Sequence, residues 1–157
     1  MAILLDEEGL LGRCRIYATD LNEAVLAQAK EGTCPLAAMR EHAANYQRAG
    51  GKAAFSDYYT ARHSHALFRA SLKRNIVFAP HNLLTDSSFN EFQVILCRNV
   101  LIYFNRSPQA RVHRLLFDSL APAGILCLGS QESLKLTPHE ADYEELNRAE
   151  KLYRRLR

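Results

Sequence analysis

Apolar and polar positions along the chain follow two rhythms. Short apolar runs bounded by polar or turn residues occur at "CRIYATD" (14–20), "IVFA" (76–79), "FQVILC" (92–97), "ILCLGS" (125–130), "YEELNR" (143–148) and "KLYRRL" (151–156). Each predicts a strand, six in all, and the last two are close enough to form an antiparallel hairpin. Between them the apolar period lengthens to that of a helix. In residues 21–32, Leu21, Val25, Leu26 and Ala29 share one face and Gly32 supplies a stop. In residues 105–124, Ser107 suits an N-cap and Pro108 the first helical position. Val112, Leu115, Leu116 and Leu120 then form a stripe that ends at "APAG". Strands alternating with helices predict an α/β domain with a largely parallel sheet.

Residues 43–73 break the rhythm. They hold Gly50 and Gly51, the pair Tyr58 and Tyr59, and mixed aromatic and basic residues, which fits a small antiparallel insert better than a crossover helix. Such an excursion either docks a partner or covers a sheet edge. With 157 residues the chain has the size of one domain able to bury a core, so residues 1–157 are read as a single domain carrying this insert.

Charge narrows the partners. A formal net charge of +3, with Lys and Arg scattered among acids, does not predict nucleic-acid binding and leaves acidic small molecules or peptides open. Cys14, Cys34, Cys97 and Cys127 show no ligand spacing, and His63 and His65 have no acidic third partner nearby, so no metal site is expected. With no secretory leader and no apolar run of about 18 residues, a cytoplasmic location without membrane insertion is expected.

Ligands of open α/β sheets bind at the carboxyl ends of strands. Those ends offer Asp20, His81 and Asn82, Arg98 and Asn99, and Ser130 to Glu132. Asp20 suits the two hydroxyls of a ribose, or equally a helix N-cap, a task Asn22 and Glu23 could share. Arg98 ends an apolar strand and cannot lose its proton, so it requires a carboxylate, a phosphate or water. An internal acid such as Asp118 or Glu132 would serve as well as a substrate. Tyr103, five residues on, reads as a second site group or as a core ring with its hydroxyl at the surface.

The segments "IYATDLNEAVLAQAKEGTCP", "VFAPHNLLTD", "VILCRNVLIYFNRSPQ", "LAPAGILCLGSQESL" and "LYRR" together resemble, in order and spacing, the catalytic domain of the CheR-type chemotaxis receptor methyltransferases. The resemblance implies a Rossmann-like class I methyltransferase sheet with a small antiparallel β insert. It implies an enzyme that transfers a methyl group from S-adenosylmethionine to glutamate side chains of the chemoreceptor cytoplasmic domain, leaving S-adenosylhomocysteine. Asp20 then falls on the acid that holds the ribose, Asn82 near the adenine and Asn99 beside the cofactor. Arg98 and Tyr103 fall in the catalytic pocket. The insert matches a subdomain that docks a receptor tail in some members.

The family's fold opens with a strand and a glycine turn resembling G-C-S-T-G-E-E-x-Y-S, preceded by a helical domain. Here "AILLDEEGLL" resembles the helix after that turn. The expectation is therefore an N-terminally truncated sheet, lacking the central strand between those ending at Asp20 and Cys97. Such a sheet would complete itself by pairing its flanking strands or by self-association with a second copy. The alternative function is a non-catalytic interaction module of a sensory system that retains the fold.

Overall fold

The computed structural model describes residues 1–156, in two compact units, Met1–His81 and Asn82–Arg157.

The first unit starts with helix α1 (Ala2–Glu7) and strand β1 (Ile16–Asp20). Helix α2 (Glu23–Glu31) follows under the cap of Asn22, whose Oδ1 accepts from the N–H groups of Ala24 at 2.9 Å and Val25 at 3.3 Å. It ends where the sequence places its stop. Gly32 adopts φ 74°, a left-handed conformation that turns the chain and lets its N–H reach the carbonyls of Gln28 and Ala29. Next come strand β2 (Thr33–Pro35), helix α3 (Met39–Arg48), strands β3 (Tyr59–Arg62) and β4 (His65–Phe68), the short helix α4 (Ala70–Lys73) and strand β5 (Ile76–Pro80).

Strands β1 and β5 pair in parallel from Ile16↔Ile76 to Asp20↔Pro80. A separate antiparallel sheet has the order β2-β4-β3. Its third strand lies ahead of the 43–73 bounds read from sequence, because Thr33 and Cys34 pair with Leu67 and Ala66 of β4. Residues 43–48 belong to α3 instead. Rings of Tyr46, Phe55, Tyr58, Tyr59 and Phe68 pack around this sheet at centroid separations of 5.3–6.2 Å. The Glu7 carboxylate accepts from the hydroxyls of Tyr46 and Tyr58 and from the N–H of Lys52. These bonds, that of Tyr46 foremost, hold its carboxyl below the usual range.

The second unit carries strand β6 (Phe92–Cys97), helix α5 (Arg106–Ser119), and strands β7 (Leu120–Leu128), β8 (Tyr143–Asn147) and β9 (Leu152–Arg155). Its sheet has the order β6-β7-β9-β8, with β6 parallel to β7 and the other pairs antiparallel, including the expected β8–β9 hairpin. Val112 and Leu116 of α5 pack with Leu120, Leu126, Leu128 and Tyr153 to form the core on one face of that sheet. Helix α5 begins two residues before its expected start. Asn105 takes the N-cap position, which puts Ser107 and Pro108 inside the first turn. That turn tolerates proline, because its N–H groups have no intrahelical acceptor. The "APAG" stretch is not a connection. It lies within β7, where Ala123 takes φ 60° and the register with β6 jumps between Phe92 and Val94.

All six strands read from the sequence are present, and the further three make the antiparallel sheet. Strands β1 and β6, expected to flank a missing centre, belong to different sheets, and among the described residues each is a terminal strand paired along one edge only. Direct pairing between them, one of the two expected remedies, is therefore corrected: among the described residues β1 pairs with β5 and β6 with β7, and neither pairs with the other. No helix of the described residues is long and apolar enough to cross a membrane.

Candidate active site

Arg98 follows β6 directly, and the turn it enters is held by a carboxylate from another segment. Glu132, four residues past the end of β7, is 4% exposed. Its Oε1 accepts from the N–H groups of Val100 and Leu101, both at 2.7 Å. Its Oε2 accepts from those of Asn99 at 3.1 Å and Gly129 at 2.5 Å. Four main-chain donors thus converge on one side chain, linking the carboxyl ends of β6 and β7. Asn99 is held at φ 58°. Gly129 is needed for the approach, since a Cβ there would sit 2.7 Å from both Asn99 N and Glu132 Oε2.

The rest of the turn is equally occupied. The N–H groups of Tyr103 and Phe104 return to the carbonyls of Val100 and Leu101. Gln109 of α5 donates through Nε2 to the carbonyls of Leu101 at 3.0 Å and Phe104 at 2.9 Å. With the backbone so committed, the side chains of Arg98, Asn99 and Tyr103 are left exposed. Tyr103 is 80% exposed, so its reading as a core ring is set aside. Among the described residues, neither acid considered as a partner for Arg98 is paired with it: Glu132 is bound to the four N–H groups, and Asp118 pairs with Arg114.

Cys97 lies just before Arg98 and is buried. Burial, assisted by the charge of Glu132, pushes its thiol up to about 12, which keeps it protonated and excludes it as a nucleophile at neutral pH.

Asn82 opens a turn in the second unit. Its Oδ1 accepts from Leu84 N at 2.9 Å and its own N–H donates to Asp86 Oδ2 at 2.8 Å, and its side-chain amide hydrogens find no acceptor among the described residues. Asp20 ends β1 in the first unit, where its Oδ1 accepts from Asn22 N at 2.8 Å. The capping of α2 is done by Asn22, so the N-cap reading of Asp20 is replaced by that of a residue supporting the cap, its second carboxylate oxygen having no partner among the described residues. Within the second unit the structure groups Arg98, Asn99 and Tyr103 on one turn, while Asn82 stands on another and Asp20 belongs to the first unit.

From the sequence, Glu132 stands out only as a strand-end residue or a partner for Arg98, and Gln109 does not stand out at all. The one local signal for Glu132 was an acid shortly after an apolar strand, the same pattern that marks Asp20. Among the described residues, no group of three or more His, Cys, Asp or Glu side chains is placed to hold a metal ion.

Comparison with known proteins places the chain in a family. A family model described as the SAM-binding domain of the CheR methyltransferases matches residues 1–150. The chain is 46% identical over 155 residues to a Pseudomonas putida protein named putative methyltransferase Cher3, covering 99% of this chain and 57% of that protein. It is 33% identical over 127 residues to a chemotaxis protein methyltransferase of Vibrio anguillarum, covering 80% of this chain and 44% of the relative. The chain thus spans about half the length of the curated relatives it matches. Among solved structures, the N-methyltransferase NodS of Bradyrhizobium japonicum aligns with a TM-score of 0.50 at 16% identity, over 96% of this chain and 79% of that one, which is a likeness of fold. S-adenosylmethionine is the cofactor that the family description names, and the chain belongs to the CheR methyltransferase family as a SAM-binding domain with a class I methyltransferase fold.

Proposed function

We propose that this chain is the cofactor-binding and methyl-transferring portion of a protein-glutamate O-methyltransferase acting on chemoreceptor cytoplasmic domains. The observation that carries the reading is an exposed guanidinium, Arg98, with no carboxylate partner among the described residues, at a strand end on a turn whose backbone is fixed by Glu132 and Gln109.

A glutamate side chain, with a reference pKa of about 4.3, is already a carboxylate at neutral pH, so its oxygen attacks without a general base. The protein's task is orientation. Arg98 grips the incoming carboxylate through paired N–H groups. The exposed Tyr103 hydroxyl donates a hydrogen bond to that carboxylate or its ring borders the positive sulfur. Bound S-adenosylmethionine supplies an electrophilic methyl group on a sulfonium. Taken one by one, the residues that the resemblance assigns suit that cofactor chemically: Asp20, in the first unit, brings a carboxylate that can accept from ribose hydroxyls, and Asn82, in the second, an amide that can donate to a purine nitrogen. Asn99 flanks the cofactor from the same turn as Arg98. The edges of β1 and β6 left unpaired among the described residues support self-association as a second proposal, read by light scattering of the purified chain.

Calorimetric titration of the chain with S-adenosylhomocysteine separates the enzyme from the interaction module. Micromolar binding, about −8 kcal/mol, weakened in Asp20→Ala, is the expected result. Absence of heat with a folded chain would overturn cofactor binding by this portion and favour the non-catalytic module.

A further inference from the structure

A cleft of about 210 Å³ runs along the first two turns of α5, facing the loop that follows Glu132. Arg106, Gln109 and His113 line it from the helix, and Ser133, Lys135 and Thr137 from the loop. Two cations and several hydrogen-bonding groups therefore meet there, and no carboxylate lines the cleft. The nearby acids are engaged elsewhere. Glu140 accepts from Leu136 N at 2.7 Å, Asp142 from His139 at 3.1 Å, and Glu132 from its four backbone donors. The amino end of a helix adds a favourable potential for an anion.

His113 is the second, independent feature. It is 3% exposed, and its Nδ1 is a buried polar atom without a hydrogen-bond partner among the described residues. Leaving such an atom unpaired is costly, and native proteins rarely do so without a use for it. Burial holds its imidazole below the ordinary value, with the charge of His139 acting the same way and that of Glu132 opposing. A neutral ring can offer Nδ1–H to an acceptor.

The location matters because Gln109 is shared. The same side chain that lines the cleft donates to the carbonyls of Leu101 and Phe104, the turn that carries Tyr103. We propose that the cleft between α5 and residues 133–138 is a carboxylate subsite, in which Arg106, Lys135 and His113 hold an acidic side chain of the protein substrate beside the one presented to Arg98. This inference rests on the proposed methyltransferase reading for the identity of its ligand.

The test is a nuclear magnetic resonance titration of the chain with N-acetylglutamate amide, N-acetylglutamine amide and inorganic phosphate. Saturable shifts of the Ser133, Lys135 and Thr137 amides and of the His113 ring are expected with the glutamate compound and not with glutamine. The double variant Arg106→Gln/Lys135→Gln, altered only at exposed positions, should bind it roughly tenfold more weakly, the size expected of two partly exposed ion pairs. Arg98→Ala should keep the same shifts. No saturable shift, equal shifts with phosphate, or unchanged affinity in the double variant would overturn the subsite. Glutamate shifts in a chain that binds no S-adenosylhomocysteine would instead uphold the subsite and remove only the methyltransferase reading.

Discussion

Replacing Glu132 by alanine removes the acceptor for four backbone N–H groups at once. Two of these donors, Leu101 N and Gly129 N, make buried bonds, and the other two, from Asn99 and Val100, make partly buried ones that water can replace. A buried donor left without a partner costs about 1–3 kcal/mol, so the two buried donors alone set a loss of roughly 2–6 kcal/mol. Against a total stability of about 5–15 kcal/mol for a typical domain, this is a severe change. Glu132→Gln keeps the shape but turns an NH2 group towards two of the four donors, so it should be intermediate. Urea denaturation followed by circular dichroism reads both variants, through the midpoint at constant slope. Amide shifts of Asn99, Val100, Leu101 and Gly129 report whether the turn has loosened. A loss below about 1 kcal/mol for the alanine variant, with those amides unmoved, would refute the view that Glu132 holds the Arg98 turn in place.

Three further expectations use the same preparations. Gly129→Ala places a Cβ 2.7 Å from Asn99 N and from Glu132 Oε2, so it should cost about 1–3 kcal/mol in urea and disturb the same amides. Asn22→Ala removes the side-chain cap of α2 and should cost about 0.5–2 kcal/mol, with no change at the Arg98 turn. The Cys97 thiol, pushed by burial to about 12, should resist a thiol reagent in the native chain at neutral pH, while the half-buried Cys14 and Cys34 react. Because that pKa is raised on folding, its contribution to stability is complete below the ordinary thiol value of 9.0 and is lost as pH climbs from there towards 12, which a denaturation series in alkali measures.

Much of the fold was legible because its signals are local. Strands β1, β5, β6, β7, β8 and β9 are apolar runs bounded by turn residues, and Gly32 marks the end of α2 by a conformation that glycine favours. The start of α5 lies two residues before the one the sequence suggests, because Ser107 and Pro108 mimic a cap and first residue while proline is tolerated throughout the first turn. Strand β2 was missed because three residues, one a proline, have little strand signal of their own and become a strand by pairing with β4. The same distinction holds at the site. Arg98 stood out because a guanidinium at the end of an apolar run needs a partner. The role of Glu132 was hidden because it requires β6 and β7 to lie side by side, bringing Glu132 within reach of Asn99, 33 residues away in the chain.

The most direct test of the central claim is transfer of a labelled methyl group from S-adenosylmethionine to a chemoreceptor cytoplasmic fragment, scored as base-labile methyl ester. The protein should be used with whatever further chain its relatives carry. The account predicts ester formation at glutamate, a loss of about 10- to 150-fold in Arg98→Ala as expected for removal of a charged hydrogen-bond partner of the reacting group, and a smaller loss in Arg98→Lys. Base-stable methylation, or ester formation undiminished in Arg98→Ala, would contradict it.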